Sequence, residues 1–282
     1  MTPADIAEAF RAACREEIEA PKPGNVHVYA GGHDMQAAHF LTSADVAAGP
    51  ISAPGASVGT RILGAVEASF AAVGMNTNLG IILLCAPLAA AAEQGGDLRG
   101  ALNGVLAHLD RGDADQVFQA IARANPGGLG ASLRHDVRHP AEVSLLAAMQ
   151  EAAPRDRIAY QYANGFGDIF VTGFLALAEA GQAELRAPLR AVLIYLAFLS
   201  AFPDTHICRK FGLGTAVAVQ KEAGAMLSLF RAERGDCLPA LLALDRDLKA
   251  RGLNPGTSAD LTVATLFAAC LRDGLPIRRN DG

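Results

Sequence analysis

Apolar residues recur every three or four positions along nearly the whole chain, and no stretch shows the strict alternation of a half-buried strand. That one feature confines the fold to helices packed on helices. Ile6, Ala9, Phe10, Ala13 and Cys14 form the first such stripe, over 3–19, and Pro21-Lys22-Pro23-Gly24 ends it. Further helices are predicted over 40–48, 59–73, 79–92, 100–109, 114–124, 141–152, 155–180, 187–200, 212–234, 238–251 and 258–273. Asn76-Thr77-Asn78 is placed to cap the helix that starts at Leu79, and Pro87 to kink it. Segment 25–35 holds Gly31-Gly32 and two histidines, follows neither period and reads as an ordered loop. The expected fold class is all-α: a single compact multi-helix domain spanning 1–282, with no repeat or long linker to divide it.

Composition supports this and narrows the partners. Of 282 residues 51% are hydrophobic, only 6% are aromatic and none is Trp, a balance suited to closely packed Ala- and Leu-rich helices. The net charge of -5 gives no basic field, so nucleic acid is not an expected partner and any phosphate recognition must be local. The longest apolar runs, 79–92 and 191–203, fall short of the roughly 20 residues that cross a bilayer. No membrane association is expected. The first twenty residues alternate charges and do not read as a secretory signal. Five scattered cysteines, Cys14, Cys85, Cys208, Cys237 and Cys270, form no pair at metal or redox spacing, so reduced thiols in a cytoplasmic protein are expected. An Ala- and Leu-rich helical surface also suits a homodimer.

The polar residues in unusual places fall into five clusters, each beside glycine or proline: Lys22-Pro-Gly-Asn25 with His33-Asp34-Met35; Asn76-Thr-Asn-Leu-Gly80; Gly127-Gly-Leu-Gly130 with His135-Asp136; Asp204-Thr-His206 with Arg209-Lys210; and Asn254-Pro-Gly-Thr-Ser-Ala-Asp260. Loops at helix ends can converge on one pocket while the helices frame it. Gly127–Gly130 lacks the Lys-Ser/Thr of a phosphate loop and follows no strand. Thr257-x-x-Asp260 fits a helix capping box. Asp204, Thr205, Arg209 and Lys210 carry more chemistry, because an acid and two adjacent cations follow an apolar helix directly. Arg209 can fork onto phosphate oxygens, Lys210 can act as a point charge, and Asp204 can face magnesium.

In order, these clusters resemble the motif series of the triphosphoribosyl-dephospho-CoA synthase family. Lys22-Pro-Gly-Asn-Val26 is similar to its K-P-G-x-V opening, Gly32-His33-Asp34-Met35 to its G-x-H-x-D-M, and Asn76-Thr77 with Gly80 to its N-T-x-x-G. Asp204-Thr205 with Arg209 resembles a late D-T segment, and Pro255-Gly-Thr-Ser-Ala-Asp-Leu261 a closing P-G-x-S-A-D-L. The chain departs where the family commonly has N-T-H-K-G, since Asn78 and Leu79 stand in place of the histidine and lysine.

The resemblance implies that an acceptor hydroxyl, of dephospho-CoA in the family, attacks C1 of the ATP ribose and adenine leaves. It implies ATP as substrate and Mg2+ held by Asp204 and Asp260, with His33, Asp34, Asp204 and Asp260 catalytic. Lys22, Gly24, Asn76, Thr77, Gly80, Thr205, Arg209, Lys210 and Ser258 would bind nucleotide. A related transferase with another acceptor or purine triphosphate, an N-glycoside hydrolase, and a catalytically silent nucleotide-binding protein are the alternatives.

Overall fold

The computed structural model describes residues 1–125 and 136–274. Among them fourteen α-helices follow one another with no strand. They are α1 (Pro3–Glu19), α2 (Ala37–Ile51), α3 (Val58–Val73), α4 (Leu79–Gln94), α5 (Leu98–Ala107), α6 (Arg111–Ala124), α7 (Leu145–Ala152), α8 (Arg157–Ala163), α9 (Phe174–Gln182), α10 (Ala187–Ala201), α11 (Thr205–Phe211), α12 (Leu213–Ala232), α13 (Leu238–Ala250) and α14 (Gly256–Asp273). No single helix among the described residues is long and apolar enough to cross a membrane. The all-α expectation holds.

Two helices apolar on every side, α4 and α14, occupy the centre and pack against each other. Around them α1 and α10 close one flank, and Phe10 of α1 meets Phe267 of α14 edge to face at 5.8 Å. The remaining helices are amphipathic and turn their apolar stripes inward, which is the pattern the sequence shows.

Two local expectations are corrected. The helix predicted over 155–180 is broken: Gly165 (φ 58°) and Phe166 (φ 56°) adopt left-handed backbone after α8, and a π-helical turn, Ile169–Gly173, leads into α9. Gly173 is required there, because a Cβ would lie 2.3 Å from Thr265 Oγ1 of α14. A helix not predicted, α11, forms because Asp204 caps its start and Gly212 (φ 84°) ends it. Pro87 lies inside α4, which runs from Leu79 to Gln94. Pro87 cannot donate to Leu83 O four residues back, and the Tyr162 hydroxyl donates to that carbonyl instead, at 2.6 Å.

Candidate active site

The loop Lys22–Asn25 leaves α1 and is buried against the segment that opens α14. Lys22 is fully buried; its ammonium donates to Glu17 O (2.6 Å) and Val26 O (3.0 Å) and pairs with Glu17 Oε1 at 3.2 Å. Gly24 (φ 82°) packs so closely that a Cβ would lie 2.9 Å from Pro255, while its N–H donates to Asp245 and the Tyr195 hydroxyl donates to Pro23 O. Asn25 Nδ2 donates to Asn254 Oδ1 at 2.8 Å, tying the first motif to the last.

Asp204 is the second tie. Fully buried, it accepts from His206 N (2.9 Å) and Ile207 N (3.3 Å) on one oxygen and from Ser258 N and Oγ (both 2.8 Å) on the other. Burial raises its carboxyl above the ordinary range, and these four donors oppose that rise. Asp204 therefore locks the start of α11 onto the start of α14.

A cleft of about 1690 Å³ opens beside this hub. Of the predicted site residues His33, Asn76, Thr77, Gly80, Thr205, Arg209, Lys210 and Asp260 line it. Lys22, Gly24, Asp34, Asp204 and Ser258 do not line it. Lys22, Asp204 and Ser258 have their polar atoms taken by protein partners. Gly24 is a close-packing glycine, and Asp34 is exposed.

His33 takes its orientation from Gly24 instead. Its Nε2 lies 3.0 Å from Gly24 O, and a carbonyl only accepts, so Nε2 carries a proton, which in the neutral ring places the lone pair on Nδ1. Asp260 stands against Gly80 so closely that a Cβ there would sit 2.0 Å from its Oδ2. Burial first, and then the nearby Glu17, hold the Asp260 carboxyl well above the ordinary carboxylate range.

Arg209 donates to Asp156 at 3.3 Å, and burial together with Arg209 lowers Lys210 below an ordinary lysine. His206 lies among these groups; burial first, then Lys210, Arg209 and His33, lower it to about 3, so its ring is neutral near pH 7. Its Nε2 has no hydrogen-bond partner among the described residues. Thr205 Oγ1 accepts from Arg157 N (3.1 Å) and lies 3.1 Å from Thr257 Oγ1. Thr257 does not form the expected capping box: α14 already starts at Gly256, and Thr257 Oγ1 accepts from His206 N. The cap on α4 comes from Asn76, whose Oδ1 accepts from Leu79 N at 3.2 Å, while Asn78 turns inward to Ser69.

The cleft also uses Asn25 of the first motif and residues that sequence reasoning missed: Glu17, Arg123, Arg155, Asp156 and Arg157. Arg157 forks onto Asp168 and stacks over the Tyr160 and Phe202 rings at 3.9 and 4.2 Å. The signal for this group is the run Pro154-Arg-Asp-Arg157, which interrupts an apolar helical pattern with three charges. Gly127–Gly130 and His135 lie outside the described residues, whereas Asp136 lines the cleft and is held by the Arg138 fork. The described residues contain no group of three or more His, Cys, Asp or Glu side chains able to hold a metal.

Comparison with known proteins agrees with this arrangement. No curated protein sequence matches the chain. A crystal structure of a proposed triphosphoribosyl-dephospho-CoA synthase from Archaeoglobus fulgidus is similar, with a TM-score of 0.64 and 26% identity over 83% of this chain and 99% of that one. The family model of ATP:dephospho-CoA triphosphoribosyl transferase matches residues 3–279. A match that runs nearly end to end, over the motifs that build the hub and the cleft, means that the chain belongs to the ATP:dephospho-CoA triphosphoribosyl transferase family.

Proposed function

We propose that this chain transfers the 5-triphosphoribosyl group of ATP to a hydroxyl of dephospho-CoA and releases adenine. The observation that carries the reading is the convergence, on one cleft, of motif residues from four separate segments of a chain matched over 3–279 by the family model. At about 1690 Å³ the cleft exceeds the roughly 300–1,000 Å³ common for a single small ligand, as a site for two nucleotides must.

The chemistry assigns the walls. Displacing adenine from C1 passes through an oxocarbenium-like state that needs negative charge near the ribose, cations on the triphosphate and a base for the attacking hydroxyl. Arg209 and Lys210 face the cleft and suit the triphosphate, Arg209 as a fork and Lys210 as a point charge. Asn76 and Thr77 offer hydrogen bonds to ribose or base. His33, with its Nδ1 lone pair available, takes the proton of the acceptor hydroxyl.

A magnesium ion on the ATP triphosphate would supply charge neutralisation there. Asp204, whose oxygens already accept four bonds, does not suit such an ion; Asp260, on the cleft wall with no donor bonded to it among the described residues, would.

A second reading, transfer to a different acceptor, is favoured by one observation. Leu79, at the position where the family commonly has lysine, lines the cleft as an apolar side chain. Adenine release from ATP and magnesium, followed by mass spectrometry with and without dephospho-CoA, separates the readings. The conjugate of dephospho-CoA with ribose triphosphate is expected. Adenine release without that conjugate selects another acceptor or water, and no release from any purine triphosphate defeats the transfer reading.

A further inference from the structure

The last turn of α1 carries two adjacent buried glutamates that the structure uses differently. Glu16 is clasped by the Arg190 fork at 2.5 and 2.6 Å, and it does not line the cleft. Glu17 does line the cleft, and among the described residues only Lys22 donates to it. Its placement is costly. A carboxylate at the C-terminal end of a helix opposes the helix dipole, α1 has no basic residue in its last turn, and burial raises the Glu17 carboxyl against the pull of Lys22. Lys22 is meanwhile fixed by two carbonyls as well as by Glu17, so it cannot swing into the cleft to meet a phosphate.

An unfavourably placed acid that faces the cleft and is held by a fully buried cation is a feature of a working site rather than of packing. We infer that Glu17 is a catalytic carboxylate of this cleft, standing beside Asp260 against the donor ribose, and that Lys22 is its positioning residue. The inference rests on the transfer reading above.

In the transfer the C1–N bond breaks and its electron pair leaves with adenine, which takes up a proton from solvent. The C1–O bond to the acceptor forms, and the hydroxyl proton passes to His33 Nδ1. Between these events positive charge spreads over C1 and the ring oxygen, and the Glu17 carboxylate is the negative partner that strengthens as that charge grows. Glu17 disfavours the charge of Asp260 in the empty cleft, and a cationic ribose relieves that repulsion.

The test compares adenine release by wild type, Glu17→Gln and the double variant Glu17→Gln/Lys22→Met, each with kcat and KM for ATP measured separately. Both variants are expected to lose about 10²–10³-fold in kcat with KM within about three-fold, the pattern of an interaction made in the transition state. The double variant leaves no unpaired buried charge, so it is expected to keep the fold. Recovery of kcat in the folded double variant overturns the inference, because a structural ion pair can be replaced by a neutral one. Its failure to fold overturns it too, by making the pair structural. Wild-type enzyme that releases no adenine overturns the transfer reading itself, which separates the two failures.

Discussion

The buried hub and the cleft wall beside it are built from the same motifs, yet they treat their polar atoms in opposite ways. In the hub Lys22, Asp204 and Ser258 are fully buried and bonded to protein partners, and Gly24 is packed against Pro255. On the wall, among the described residues, Asp260 has no donor and His206 Nε2 has no partner, and in the neutral His33 ring the lone pair falls on Nδ1. Adjacent residues divide between the two: Asp204 is hub and Thr205 is wall, Ser258 is hub and Asp260 is wall. A motif therefore marks a place where the chain must be held and used at once, and it does not say which of its residues does which.

The sharpest way to break this comparison is to exchange the fates of the two aspartates. Asp204→Ala leaves Ile207 N and Ser258 N and Oγ without their acceptor in a buried site, while His206 N keeps only Thr257 Oγ1, and is expected to cost about 3–5 kcal/mol, read as a lowered urea midpoint, with activity lost along with the fold. Asp260→Asn removes charge from the wall and is expected to lower kcat for adenine release by about 10²–10³-fold while the unfolding temperature stays within a few degrees. If Asp204→Asn folds and keeps near-wild-type kcat, Asp204 is confirmed as a scaffold; if it folds and is inactive, the division fails.

A smaller effect is expected at Gly80, where the two regions touch through α4. A methyl group there would sit 2.0 Å from Asp260 Oδ2, so Gly80→Ala must displace the carboxylate rather than the helix. A fall of about ten- to a hundred-fold in kcat with little change in stability is expected, since small displacements of a reacting group are costly. Unchanged kcat would mean that the Asp260 position is not critical.

Most of the fold was legible because helical periodicity is a local property, and α4, α10 and α14 announce themselves by apolar runs. The break after α8 was not legible, because it depends on Gly173 meeting Thr265 about ninety residues later. The helix α11 was hidden for the opposite reason: it is seven residues long and set by its caps rather than by a stripe. At the site, eight predicted residues do line the cleft, but the side on which Lys22 and Asp204 fall depends on partners such as Val26 O and Ser258, and residue type alone carries no such information. Glu17 was missed because it sits inside a regular amphipathic helix, where a charged residue is ordinarily solvated.

The pH response sharpens the comparison from the wall side. His206 titrates at about 3 in the folded protein and near 6.5 when unfolded, and burial is the first cause of the difference. Below pH 6.5 the unfolded chain binds the proton more readily, so stability falls as pH drops from about 6.5 toward about 3, by up to ~1.4 kcal/mol per unit for this residue. His27, also lowered by burial, adds to the slope in the same direction. Urea midpoints measured at pH 7, 6 and 5 should fall stepwise in wild type and less steeply in His206→Gln; equal slopes would remove His206 from the account.

The finest test uses two tyrosines that make the same bond in the two regions. Tyr195 donates to Pro23 O in the hub and Tyr162 to Leu83 O beneath the cleft wall, each at 2.6 Å, and both side chains are buried. Removing either hydroxyl deprives a carbonyl of its donor, but the surroundings differ. Leu83 lines the cleft, where water can take the place of the lost donor, whereas Pro23 lies among groups that are already paired. Tyr195→Phe is therefore expected to cost about 2–3 kcal/mol and Tyr162→Phe about 1 kcal/mol, although Pro87 leaves Leu83 no helical substitute. The order matters more than either value: a larger loss for Tyr162→Phe would mean that the wall is as dry as the hub, and that its open polar groups are held apart by packing rather than kept ready for a ligand.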